Sequence, residues 1–357
     1  MKFVAEYIWL GGNSELRSKS RTVNINCENI KDTNQIMKEI LSPGLYEEWT
    51  YDGSSTGQAL GDKSDIIIKP VFVCTDPFRK APNTLVLCST YTPSASPLEN
   101  NYRDKALDIF KKNMDLEPWY GIEQEFFIMK NDENNPSKKS FNPCGWSGNL
   151  TNTQGQYYCS VGSNNAFCRK IAEQAYHLCL EAGLTASGMN AEVAPSQWEI
   201  QIGPCTGIQA GDHLWMMRYI LSRVGEIHNC QINFDPKPLK GDWNGSGCHT
   251  NFSTKPMREA NNAMEYINNA IENLEKKHME HMLLYGEGNK ERMSGNYETA
   301  NYETFSYGVS DRSASLRIPL SVQIKQQGYI EDRRPSSNMD PYLVTSKIFE
   351  TVCLMEN

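Results

Sequence analysis

Hydrophobic and polar positions alternate through the first part of the chain and recur with helical spacing through much of the rest. Phe3–Leu10, Arg21–Ile25, Ser64–Lys69 and Thr84–Ser89 read as strands. Asp32–Leu41 reads as a short helix, with Asp32 at the N-cap and Pro43-Gly44 beyond its end. Tyr51–Gly57 is a compact polar turn. Proline, serine and asparagine crowd Tyr91–Tyr102 and mark a linker, and Lys105–Met114 follows as a helix. After the strand Tyr120–Met129 comes a long polar excursion, Lys130–Gly155. Three helical patterns lie beyond it: from the capping Asn164/Asn165 to Leu180, over Gly211–His228, and over Arg258–Tyr285. Gly183 and Gly286 close the first and third. Their apolar stripes read as core faces.

The strand Tyr120–Met129 carries the most informative pattern. Ile122, Gln124, Phe126 and Ile128 take one face; Glu123, Glu125 and Phe127 take the other. Read alone, this is an acidic face open to water. Four later segments repeat the pattern. Met189–Ile202 reads as a hairpin whose turn is flanked by Glu192 and Glu199. Asp242–Phe252 is a glycine-rich turn entering a strand that puts His249, Asn251 and Ser253 on one face. Arg312–Pro319 carries two arginines, and Gly328–Pro335 aligns Glu331 with Arg333. Five separate polar faces argue for one shared cavity in a largely antiparallel sheet. Glutamates with a single histidine suit Mg²⁺ or Mn²⁺ better than structural zinc. Arginines beside such ions suit a substrate bearing phosphate and carboxylate. Together they are the tools of phosphoryl transfer.

Composition narrows the picture. A chain of 357 residues suggests two domains. A net charge of −8 argues against binding nucleic acid or an anionic membrane. No apolar run reaches the roughly 20 residues of a membrane span. Eleven scattered cysteines without a Cys-x-x-Cys pair read as buried thiols in a reducing compartment. With a strand starting directly after Met1, a cytoplasmic location is expected. His177, His213, His228, His278 and His281 read as structural.

In this order, the segments closely resemble glutamine synthetases of the type II class. The resemblance runs from Ala5–Trp9 through Asp52–Thr56, Gly121–Glu125, Asn190–Val193, Gln197–Glu199, Trp243–Gly247 and His249–Ser253 to Gly328–Ser336. It implies an α+β fold: a β-grasp domain over residues 1–96, a linker over 97–102, and a catalytic domain over 103–357 whose curved antiparallel sheet forms an open funnel. It implies ATP-dependent synthesis of glutamine from glutamate and ammonia through a γ-glutamyl phosphate, with two or three divalent ions. Glu125, Glu192 and Glu199 match the ligands of one metal; Glu123, His249 and Glu331 match those of another, nearer the phosphates. Arg312 and Arg317 match phosphate-holding residues. Arg292, Arg333, Asn244, Gly245 and His249 match the glutamate site, and Trp119, Asn251, Phe252, Ser253, Arg317 and Tyr329 match ATP contacts. Glu298 matches a flap carboxylate that helps deprotonate ammonium. Asp52, Ser55 and Tyr158 match the ammonium pocket, the first two entering from a neighbouring subunit. The implied assembly is a homo-oligomer, a decamer of two pentameric rings.

Tyr297 stands where eukaryotic members usually carry histidine, and Leu320 where many have arginine or another polar residue. The N-terminal extension common in eukaryotic members is missing. Two other readings stay open from sequence: a γ-glutamyl ligase using a different amine, and an inactive ring protein with a structural or nitrogen-sensing role.

Overall fold

The N-terminal alternation is realised as one five-stranded sheet: β1 (Lys2–Leu10), β2 (Leu16–Asn24), β3 (Trp49–Asp52), β4 (Asp65–Thr75) and β5 (Thr84–Tyr91), in the order β2-β1-β5-β4-β3. The β1–β5 pair is parallel and the others are antiparallel. Helix α1 (Thr33–Ile40) packs Ile36, Met37 and Ile40 against a core of Phe3, Tyr7, Trp9, Ile68 and Val86. Asp32 caps it by accepting from the Asn34 amide at 2.9 Å. This is the expected β-grasp arrangement. β4 runs past its expected end at Lys69, because a register irregularity between Pro70 and Phe72 accommodates the proline.

The computed structural model describes residues 1–26, 32–133, 135, 137–146 and 155–355. They form two units, Met1–Lys105 with Leu178–Leu184, and Ala106–His177 with Thr185–Asn357. Residues 134, 136 and 147–154 of the polar excursion, and Cys27, lie outside the described residues.

After β5 the chain runs through α2 (Tyr102–Phe110), β6 (Trp119–Lys130), α3 (Arg169–Ala182), β7 (Ala186–Ala191), β8 (Gln197–Thr206), α4 (Gln209–Ile227), β9 (Cys230–Asn233) and β10 (Cys248–Ser253). It continues with α5 (Lys255–Glu259), α6 (Ala263–Lys276), α7 (His278–Met282), α8 (Asn289–Arg292), β11 (Tyr307–Val309), β12 (Leu316–Ile318), α9 (Leu320–Lys325), β13 (Ile330–Asp332) and α10 (Pro341–Phe349). Its curled sheet has the order β11-β12-β13-β10-β6-β8-β7, with β9 also paired to β6. All pairs are antiparallel except β11–β12 at the edge, which is parallel.

Three helix boundaries differ from those the spacing suggests. α2 starts at Tyr102, inside the expected linker, and ends at Phe110. α3 starts at Arg169, because Gly162–Ala166 forms a turn and Cys168 has φ of 60°, which a right-handed helix cannot include. The long Arg258–Tyr285 pattern is three helices. Ala260 is extended, and Lys277 has φ of −106° at the second junction. Each piece buries part of the apolar stripe: Met257 on α5, Ile267, Ile271 and Leu274 on α6, and Met282 on α7.

One buried network holds the back of β6. Arg218 donates to Gln124 Oε1 at 2.8 Å and to the carbonyls of Met339 and Ser337. Gln124 donates in turn to the Ser337 carbonyl at 3.0 Å. Because Gln124 lies between Glu123 and Glu125, fixing one face of the strand aims the carboxylates on the other. His278 and His281 are satisfied core residues, bonded to the Tyr302 carbonyl and to Tyr285 and Thr351 respectively.

Candidate active site

β6 is the spine of the site. On one side its Glu123 is the register partner of His249 on β10. On the other its Glu125 is the partner of Glu199 on β8. Across β10, Asn251 pairs with Glu331 of β13, and Glu331 with Arg317 of β12. Opposite residues in antiparallel pairs hold their Cβ atoms only about 4.5–5.5 Å apart. Sheet register alone therefore gathers side chains from five distant segments. They surround a cavity of about 470 Å³, lined by Glu123, Glu125, Glu192, Glu199, His249, Glu298 and four arginines among others.

The acidic side chains form two sets. His249 Nδ1 lies 3.5 Å from Glu123 and 3.6 Å from Glu331. Among the described residues, this trio alone brings three ligand-type atoms within 4.8 Å of one another. Burial, with Arg333 and Arg292 nearby, holds His249 well below the ordinary histidine range, so its ring is neutral and able to donate a lone pair. The second set is Glu125, Glu192 and Glu199. Burial raises all three, and neighbouring carboxylates add to it, Glu123 at Glu125 and at Glu199 and Glu125 at Glu192. Glu192 rises to about 8, through burial first and Glu125 second. Each is aimed by an amide: Gln197 donates to Glu125 at 2.9 Å, Asn190 to Glu192 at 2.8 Å, and Gln201 to Glu199 at 2.7 Å. The Gly247 amide adds a second donor to Glu125 at 3.0 Å. Carboxylates held together against their own repulsion, beside a neutral imidazole, fit hard divalent cations such as Mg²⁺ or Mn²⁺.

Arginines close the other walls. Glu331 accepts from Arg317 and, at 2.7 Å, from Arg333. Arg333 also donates to the carbonyls of Arg312 at 3.1 Å and Glu298 at 3.3 Å. Arg292 is buried; its Nε donates to Asn289 and its Nη2 to the carbonyls of Arg333, Arg334 and Pro335. Asn244, Gly245 and Tyr158 line the same cavity. Glu192 and Arg312 are both close enough to Tyr158 to influence its phenol.

Asn251 donates to Glu123 at 2.8 Å. Trp119 is 39% exposed, with the Arg258 guanidinium 3.9 Å from its ring centroid, and Arg258 donates to Ser253 Oγ at 3.0 Å. Tyr329 lies within the field of Glu123, Arg317 and Glu331. Phe252 is buried and turned into the core against Tyr120, ring centroids 5.2 Å apart. Asp52 and Ser55 belong to the first unit. There Asp52 accepts from both Ser54 and Ser55 at 2.7 Å, and those bonds lower its carboxyl to about 2. Asn190, Gln201 and Arg258 carry no role in the sequence reading. Gln201 sits two residues from Glu199 on the same face of β8, a spacing that carries the signal.

Two family models match the chain: the glutamine synthetase beta-Grasp domain over residues 4–93 and the glutamine synthetase catalytic domain over 102–283. The chain belongs to the glutamine synthetase family. The glutamine synthetase nodule isozyme of Vigna aconitifolia is 48% identical over 358 residues, covering 99% of this chain and 94% of the relative. The rice cytosolic isozyme 1-1 is 47% identical over 357 residues with the same coverage. The chloroplastic glutamine synthetase of Daucus carota is 47% identical over 359 residues, covering 99% of this chain and 78% of its own length. Glutamine synthetases are enzymes that make glutamine, and this chain is one of them by family. No helix among the described residues is long and apolar enough to cross a membrane. The ten described cysteines are free.

Proposed function

We propose that the cavity converts L-glutamate, ATP and ammonia to L-glutamine, ADP and phosphate through a γ-glutamyl phosphate. The observation that carries this reading is the placement of two acid-rich ligand sets and the arginines around one cavity. Glu125, Glu192 and Glu199 would hold one divalent ion; Glu123, His249 and Glu331 would hold a second. When bound, such ions neutralise phosphate charge and polarise the oxygens being transferred.

The chain's own residues do the rest. Arg292, Arg333, Asn244 and Gly245, with His249 beside them, hold glutamate. Trp119, Ser253, Asn251, Tyr329 and the Phe252 backbone hold ATP. Arg312 and Arg317 stabilise charge on the phosphoryl group as a γ-carboxylate oxygen attacks the terminal phosphorus and ADP leaves. Glu298 then accepts a proton from ammonium, and the free amine attacks the acyl carbon and expels phosphate. Covering the acyl phosphate keeps water from competing. Tyr158, with Asp52 and Ser55 of an adjacent subunit, forms the ammonium pocket. Activity then requires a homo-oligomer, a pair of pentameric rings, in a reducing cytoplasm.

Phosphate release measured with Mg²⁺, ATP and glutamate tests the reading. It requires both glutamate and ammonium, and methylamine or ethylamine substitutes poorly. Release that ignores ammonium, or that prefers a larger amine, overturns it.

A further inference from the structure

Tyr297 and Glu298 have φ of 56° and 59°. Two adjacent non-glycine residues in the left-handed region are unusual, and surrounding contacts must impose that conformation. The contacts are specific. The Tyr297 hydroxyl donates to Asp242 Oδ1 at 2.6 Å. The Lys237 ammonium lies 5.1 Å from the Tyr297 ring centroid, and Lys237 donates to the carbonyls of Gly241 and Trp243. On the other side, Thr299 Oγ1 donates to the Asn296 carbonyl at 2.7 Å, and Arg333 grips the Glu298 carbonyl. Asp242 lies two residues before Asn244, at the start of the loop that lines the cavity beside Glu298.

We infer that the Tyr297–Asp242 hydrogen bond is a latch that ties the Glu298 segment to the Trp243–Gly247 loop and keeps the acyl phosphate from water. Tyr297 is a positioning residue: it touches no reacting atom and acts by holding Glu298. This inference rests on the function proposed above.

The test counts phosphate released per glutamine formed. Wild-type protein gives a ratio near one. Tyr297→Phe keeps the ring and the Lys237 contact but loses the hydroxyl. Its ratio rises severalfold through hydrolysis of the intermediate, while KM for ATP is unchanged. Asp242→Ala leaks alike, Asp242→Asn retains an acceptor and couples nearly as wild type, and the double variant Tyr297→Phe/Asp242→Ala leaks no more than either single change. Independently of turnover, amide exchange across Asn296–Thr299 accelerates in Tyr297→Phe. A wild-type ratio with wild-type exchange in Tyr297→Phe overturns the latch, as does additive leakage in the double variant. Wild-type protein that makes no glutamine overturns the proposed function instead, and the exchange measurement still decides whether the hydrogen bond holds the segment.

Discussion

Glu125 and Glu199 stand directly opposite each other on adjacent antiparallel strands, both buried. Like charges in that register are destabilising, and burial raises both carboxyls. The sheet is built with this conflict at its centre, and a divalent cation is the chemistry that resolves it.

Removing one charge exposes the trade. Glu199→Gln keeps the shape and the polar contacts but ends the repulsion. Without added metal, the variant is expected to be about 1 kcal/mol more stable to urea than wild type. Its glutamine formation falls by at least about a hundredfold. Denaturant titration beside steady-state assay checks both signs. A variant that is less stable and fully active would contradict the assignment.

Stability should also follow pH in a defined direction. Glu192 has its carboxyl raised from 4.5 to about 8, by burial and then by Glu125. A carboxyl raised by folding binds its proton more tightly in the native state than in the unfolded chain. Its favourable contribution is complete below the unfolded value and disappears as pH rises through the folded one. Metal-free protein therefore loses stability between 4.5 and about 8. Saturating Mg²⁺ flattens or reverses the slope, because binding favours the ionised form. Urea midpoints across that range, with and without Mg²⁺, provide the measurement.

Trp119 and Arg258 make a separable prediction. The stacked pair, 3.9 Å from guanidinium to ring centroid, leaves part of the indole open. Trp119→Ala is expected to raise KM for ATP by about tenfold while kcat stays within roughly threefold, the effect of losing one stacking platform. Equal losses in KM for ATP and glutamate would indicate general disruption.

Glu298→Ala separates binding from chemistry. The segment's carbonyl contact to Arg333 involves the backbone and survives the change. ATP affinity is expected to persist, while glutamine synthesis falls by about 10²–10⁴-fold, the usual cost of losing a general base. Unchanged turnover would remove Glu298 from the mechanism.

These residues also mark what could be read from sequence. The faces of Tyr120–Met129, the Glu192–Glu199 hairpin and the His249 strand were legible because a period of two is local. Which strands become neighbours is not local. β13 follows β10 by some eighty residues, yet Glu331 reaches His249. The resemblance to glutamine synthetases supplied that pairing; alternation could not. Helix ends were less legible. Cys168 and Ala260 look ordinary in sequence, yet their backbone angles delay the start of α3 and end α5. The polar braces Gln197 and Gln201 were visible as residues sharing a face with Glu199, but their role, like that of Asn190, emerges only with their hydrogen bonds.

Isotope transfer tests the central claim most directly. Glutamate labelled with ¹⁸O in its γ-carboxylate is turned over with ATP, Mg²⁺ and ammonium. If an oxygen of that carboxylate attacks ATP and the amine then breaks the acyl C–O bond, each phosphate released carries one ¹⁸O, with one glutamine formed per phosphate. Unlabelled phosphate would mean that water, not the γ-carboxylate, attacks ATP, and would contradict the account.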